Sequence, residues 1–592
     1  MYFKDVNKVV IFLKTNNNQT MKRINYLASF LFAAFILSSC GGLDKMKEEA
    51  SDLQYNVTPT VLEMHANKVK YEITGDVPAE WFNKKAIVEF TPVYNYDSGE
   101  EVLESKTYQG ESVEANNKVI PNETGGSLEF SGEFEYNEAM RKGQLEMRAV
   151  ATIKDDNIDL PAFKLADGII STPVLVKVNP KPIMASDKFE RVVTEKQMAD
   201  IHYVIQRSNI RGSELSSEDI EELEKFVKEA NEKENKEFKG IEISAYASPD
   251  GPLKLNERLS VERKKSADNY LAKVIDQAKV KDKDAESLYN MKSTAEDWEG
   301  FKKLVENSTI EDKELILRVL SMYSDPAVRE KEIKNMSATF EVLAEDILPK
   351  LRRSEIAVNI EKIGFSDEEI LDYVTSNPDT LNLEELLYAA KLTEDLEGKA
   401  DIYKIVIEKH EGCYRAHNNL GFVYIKQDNL ADAKASLEKA NELKEGDAIV
   451  NNNLGVIALK EGDKESAEQY FLNATDAGTA VDYNLGIIKI MDGEYEAAIN
   501  YFQDHKSFNT ALAMLLAGKN DSAAKTIDAV EDDDAMNDYL KAVIGARIGD
   551  EGMVLNSLKT AIEKDPELIE LAKTDLEFRK YFENEVFKGM IQ

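Results

Sequence analysis

A triplet of residues occurs four times in the last third of the chain, and no other sequence feature restricts the fold so tightly. Asn419-Leu420-Gly421 recurs as Asn453-Leu454-Gly455, as Asn484-Leu485-Gly486 and, degenerate, as Asn509-Thr510-Ala511, at spacings of 34, 31 and 25 residues. In every copy a small residue follows twelve positions after the third member: Ala433, Ala467, Ala498 and Ala523. Turn signals lie in between, at Asp428-Asn429, Gly462-Asp463, Asp492-Gly493 and Gly518-Lys519. A helix, a tight turn and a second helix, touching at small residues, account for the pattern. A unit of that size buries its apolar face only by stacking on its neighbours.

With a period near 34 and twelve residues between small positions, the pattern resembles the tetratricopeptide repeat. Leu387-Tyr388 with Ala400, and Ala542 with Val554, add two weaker copies, so residues 364–592 are expected to form an all-α tetratricopeptide solenoid. The shortened spacings predict an irregular superhelix. The resemblance implies that the first helix of each hairpin lines a concave face on which extended peptides lie. Asn418, Asn419, Asn452, Asn453, Asn484 and Asn509 stand on those helices. An amide side chain both donates to and accepts from a peptide backbone, so Asn419, Asn453, Asn484 and Asn509 form a candidate peptide groove; the alternative is that Asn is simply common at these positions.

A second constellation lies between Ile241 and Leu271. Ile241 and Ile243 alternate with polar residues as in a half-buried strand, and Pro249, Asp250, Gly251 and Pro252 then forbid regular structure. A helix is expected from Asn256, a favoured N-cap, with Leu259, Arg263, Ala267, Tyr270, Leu271 and Val274 on one face. A helical side chain leans toward its own N-terminus, so Arg263 is expected to reach the loop at Ser248 to Gly251 and to make, with the helix dipole, a site for a small carboxylate. Gly251, Asn256, Leu259, Ser260 and Arg263 resemble the motif of the OmpA-like peptidoglycan-binding domain. That resemblance implies an α/β domain over 185–363, and a grip on diaminopimelate of the peptidoglycan stem peptide through Arg263, Asn256, Asp250, Ser248 and Gly251. The family's Asp falls on Ser248 and the small residue after its Arg on Lys264, and Asp250 is the candidate substitute for the missing carboxylate.

Upstream, Ile201 to Ile205 is read as the first strand of that domain and Ser216 as the start of its first helix. Downstream, Arg352-Arg353 with alternating Ile356, Val358 and Ile360 is read as its last strand. The segment 281–349 between them is read as a helical insertion, which either caps the sheet or offers a partner surface through Trp298.

Residues 52–180 read as an all-β sandwich. Val69, Tyr71 and Ile73 alternate with polar residues, as do Leu128, Phe130, Phe134 and Tyr136, and then Leu145, Met147, Ala149, Ala151 and Ile153. His65 and Trp81 are assigned to packing. Asn179, Pro180, Lys181 and Pro182 predict a stiff linker.

At the amino terminus, Lys22 and Arg23 precede the apolar run Leu27 to Leu37, then Ser38, Ser39 and Cys40. Residues 1–39 read as a signal peptide whose start is Met21, and the residues before Cys40 resemble the lipobox of bacterial lipoproteins. The resemblance implies diacylation of Cys40, followed by a tether over 40–51. The anchor places the chain at the outer membrane, on its periplasmic face or at the cell surface. Removing residues 1–39 takes the net charge from −36 to −40, a balance that repels nucleic acid and anionic lipid. With two cysteines, Cys40 and Cys413, no structural disulfide is expected.

No nucleophile elbow, zinc-protease helix or phosphate-binding loop occurs in the sequence. His410, Cys413 and His417 have ligand-like spacing, but Gly412 interrupts them and a fourth ligand is lacking, so neither metal nor cofactor is expected. The chain is thus expected to be a non-enzymatic lipoprotein adaptor. It binds peptidoglycan through its centre and outer-membrane or periplasmic proteins through its repeats. The alternative is a scaffold subunit of an outer-membrane assembly or export complex whose OmpA-like domain has lost its ligand.

Overall fold

The computed structural model describes residues 41–280, 286–503 and 505–592. Cys40 and the signal segment lie outside the described residues. The chain divides into two compact units, one made of residues 1–185 with 412–592 and the other of residues 186–411.

The first unit opens with helix Gly41–Glu48, whose Met46 is buried. Two β-sheets follow. Strand Lys68–Val77 lies between Gln54–Thr58 and Gly126–Glu135 in one sheet, and Ile87–Tyr96 pairs antiparallel with Gly143–Ile153 in the other. Alternation sets what is inside: along Lys68–Val77 every second residue, Val69, Tyr71, Ile73 and Val77 among them, is buried, and these meet Val88, Phe90, Leu145 and Met147 in one apolar core. Trp81 is buried beside Phe82, with ring centroids 5.9 Å apart, as a packing residue should be. His65 is exposed instead, its ring 5.2 Å from that of Tyr495.

The same unit contains five helical hairpins: Tyr414–Lys426 with Leu430–Leu443, Ala448–Lys460 with Lys464–Leu472, Thr479–Met491 with Tyr495–Phe502, Phe508–Leu516 with Asn520–Ile527, and Ala535–Ile548 with Glu551–Lys564. The repeated glycine admits the partner helix. A Cβ at Gly421 would stand 2.6 Å from Leu437, one at Gly455 2.7 Å from Phe471, and one at Gly486 2.4 Å from Phe502. Ala433, Ala467, Ala498 and Ala523 are fully buried in the shared core. The turns come from left-handed residues, Asp428 in the first hairpin and Gly462, Gly493 and Gly518 in the next three.

The second unit holds a four-stranded sheet, in the order Val192–His202, Arg353–Ile363, Lys236–Tyr246, Tyr289–Thr294. Its apolar face, with Ile201, Ile243, Ile356 and Val358, is covered by helices Glu218–Glu232 and Leu253–Ala278 through Leu223, Val227, Ala267 and Leu271. Three expectations are corrected here. The first strand is Val192–His202 rather than Ile201 to Ile205; only Ala199 and Ile201 along it are buried, and the outer part shows no apolar alternation. Helix Leu253–Ala278 starts three residues before Asn256, with Pro252 at its N-cap. Tyr289–Thr294 is a strand parallel to Lys236–Tyr246, inside the segment read as a helical insertion, so the helical part begins at Trp298. Helices Trp298–Glu306, Lys313–Met322, Pro326–Asn335 and Ser337–Asp346 close around a core of their own, with Phe301, Val305, Ile316 and Leu351.

Candidate functional site

The first helices of successive hairpins carry buried asparagines, Asn418 and Asn419, then Asn452 and Asn453, then Asn484 and then Asn509. Across them lies the chain's own segment Lys177 to Ala185, extended. Asn509 accepts from the Lys177 N–H at 2.9 Å and donates to the Lys177 carbonyl at 2.8 Å. Asn484 holds Lys181 in the same two-pronged way at 2.6 and 3.0 Å, Asn453 holds Ile183 at 2.7 and 2.7 Å, and Asn419 holds Ala185 at 2.7 and 2.9 Å. Neighbouring amides hold three of these four in place, and Asn509 donates to the Tyr483 hydroxyl at 3.2 Å. Asn453 donates to Asn418 and Asn484 to Asn452, at 3.0 and 2.9 Å, while Asn452 reaches the Lys181 carbonyl at 3.0 Å. Buried amides are costly unless paired, and here each pairs with the segment or with the next amide.

The groove residues named from the sequence therefore do grip an extended backbone, but the occupant was missed. Its signal was present. Lys181, Ile183 and Ala185 alternate with Pro180, Pro182 and Met184, so the residues that lack an N–H occupy positions where none is needed. Side chains add contacts of their own. The Lys177 ammonium lies 2.7 Å from Asp534 and 4.4 Å from the centre of the Phe508 ring, and that of Lys181 lies 3.9 Å above Tyr483. Ile183 packs on the solenoid core.

The second candidate site lies in the central unit. Arg263 is 1 % exposed, and its Nε and Nη1 donate to the carbonyls of Arg207 and Tyr246 at 3.1 and 2.8 Å. Its guanidinium stands 5.1 Å from the Tyr203 ring, and burial pushes its pKa down to about 10, which still leaves it charged at neutral pH. Asp250 does not face a ligand amine. It pairs with Arg352 at 3.1 Å and accepts from the Ser248 hydroxyl, while Arg352 also donates to Ser248 at 3.2 Å. Lys334, from an insertion helix, holds the Asp250 carbonyl at 3.1 Å. Asn256 donates to the carbonyls of Ser248 and Gly251, at 3.1 and 2.9 Å, and so fixes the loop. A cavity of about 40 Å³ remains among Ser248, Asp250, Asn256, Arg263 and Arg352. The five residues expected at this site are thus gathered, but the two charged ones are engaged inside the protein. Arg352 and Lys334 were not anticipated.

Among the described residues no group of three or more His, Cys, Asp or Glu is placed to hold a metal ion, and Cys413 is a buried free thiol.

Residues 414–447 and 448–477 match the family model of the tetratricopeptide repeat. These two hairpins are tetratricopeptide repeats. They make the carboxy-terminal region a protein-interaction module. No curated protein matches the chain. Among solved structures, PilF of Pseudomonas aeruginosa is 17% identical over 36% of this chain and 97% of its own, with a TM-score of 0.28. PilW, a type IV pilus biogenesis factor, is 14% identical over 38% of this chain and 98% of its own, with a TM-score of 0.27. A tetratricopeptide repeat protein from Parabacteroides merdae is 15% identical over 38% and 89%, with a TM-score of 0.27.

Proposed function

We propose that the chain is a non-enzymatic scaffold subunit of a bacterial outer-membrane assembly or export complex, anchored by lipid on Cys40, whose central OmpA-like unit no longer holds peptidoglycan. The observation that carries this reading is the state of the anion site. Arg263 is spent on two backbone carbonyls, the family Asp is Ser248, and the nearest carboxylate, Asp250, is closed on Arg352. A stem peptide that took Asp250 as its partner would have to break a largely buried ion pair, which costs about 3 kcal/mol before any contact is gained. The resemblance to the OmpA-like domain is supported by the alternation of strand and helix through Leu253–Ala278 and by the closing strand after Arg352.

One observation favours the second reading, a peptidoglycan-binding adaptor: the cavity beside Arg263 and Arg352 keeps a net positive lining and has room for a carboxylate. Sedimentation of the full chain with isolated sacculi separates the two. The chain is expected to stay in the supernatant. Cosedimentation relieved by free diaminopimelate overturns the scaffold reading in favour of the adaptor.

A further inference from the structure

The row of asparagines on the solenoid is occupied by the chain itself. Eight hydrogen bonds from four asparagines read the backbone of Lys177, Lys181, Ile183 and Ala185 on both its donor and its acceptor side. Because amides read only the main chain, selection falls to the side chains between them. One wall receives an ammonium at Asp534, with Asn537 at 3.4 Å and the Phe508 face beneath. A second ammonium stands over Tyr483, whose hydroxyl is fixed by its bond to Asn179 at 2.8 Å. Further along, an apolar side chain packs on the core at Ile183, and a small one, Ala185, is buried.

We propose that this row is a selective site for an extended segment of the form Lys-x-x-x-Lys-x-Ile-x-Ala, that its resident ligand is residues 177–185 of the chain itself, and that a partner peptide of the same chemistry enters only when the resident segment leaves. The inference rests on the reading of the repeats as a protein-interaction module, and it stands whether or not the central unit binds peptidoglycan. A covalently attached ligand acts at high effective concentration, so a free peptide competes poorly while the segment keeps its backbone donors.

The test uses the full chain carrying K181P, I183P and A185P together. These substitutions remove three N–H donors to Asn484, Asn453 and Asn419 yet keep the extended backbone that Pro180 and Pro182 already favour. A fluorescent synthetic peptide of residues 175–187 is expected to bind this variant at least about ten-fold more tightly than it binds the unaltered chain. The same peptide with Lys177→Glu is expected to bind at least about ten-fold more weakly. Equal binding to both proteins overturns the displacement, equal binding of both peptides overturns the selectivity, and no binding to a variant that keeps its helical circular dichroism overturns the site. Hydrogen exchange on the unaltered full chain decides independently of how the variant folds: the amides of Lys181, Ile183 and Ala185 are expected to be protected, and exchange at random-coil rates overturns the proposal.

Discussion

Asp575 lies half-buried near the end of the solenoid. It accepts from the Tyr539 hydroxyl at 2.8 Å and from the Glu577 N–H at 3.0 Å, and burial, reinforced by the nearby Glu577 carboxylate, raises its pKa to about 6. Between pH 4 and 6 the folded state thus keeps a proton that the unfolded state, with an Asp near 3.9, has released. Folding stability contributed by this group is therefore fully present below about pH 4 and is lost as pH rises to about 6, by roughly 2 to 3 kcal/mol. Asp575→Asn is expected to remove that slope from a series of melting temperatures taken across the window. A slope unchanged by the substitution rejects the assignment. At this scale the sequence was legible where a residue repeats. Asn419, Asn453, Asn484 and Asn509 could be picked out by period alone, and each donates to a carbonyl of the segment Lys177 to Ala185. Arg263 could be found by motif, but its partners could not, because the carbonyls of Arg207 and Tyr246 carry no side-chain signature.

The hairpin is the element that the repeat specifies, and its glycines do two different jobs. Gly486 is a contact glycine, since a Cβ there would stand 2.4 Å from the Phe502 ring, whereas Gly518 is a turn glycine at φ +75° with no atom within 4 Å of such a Cβ. Gly486→Ala is expected to cost about 2 to 3 kcal/mol through overpacking, and Gly518→Ala only about 1 kcal/mol through backbone strain. Chemical denaturation of the two variants measures the difference, and equal costs would show that the helices do not touch at Gly486. The hairpins were readable because small residues and turn residues recur in phase. Strand Tyr289–Thr294 was not, since as a short strand with only half-buried and exposed residues it shows no apolar alternation, and its charged flanks favour a helical reading. Strand Val192–His202 was missed over most of its length in the same way, as only two of its eleven residues are buried.

Across the whole molecule, the unit that joins the β-sheets to the solenoid is built from two separated stretches of sequence, residues 1–185 and 412–592. Ala185 is bonded to Asn419, which lies seven residues after Gly412, so the two ends come within about 15 Å of each other. Removal of residues 186–411 and closure by a linker of about five Gly and Ser residues is therefore expected to leave a folded protein with a single cooperative thermal transition. Aggregation, or a molten product without such a transition, counts against a self-sufficient unit. Pattern could mark the domains in order along the chain, but it could not show that one compact unit interrupts another, because that depends on contacts between residues far apart in sequence.

The clamp on Lys177 to Ala185 joins residues separated by 234, 270, 303 and 332 positions. When the ribosome has made Ala185, none of the asparagines that will hold this stretch yet exists. The β-sheets and the entire interrupting unit are complete before the first of them, Asn419, leaves the tunnel. Assembly therefore runs backward along the chain, with late-made residues returning to fasten a segment that was made at least 234 residues earlier.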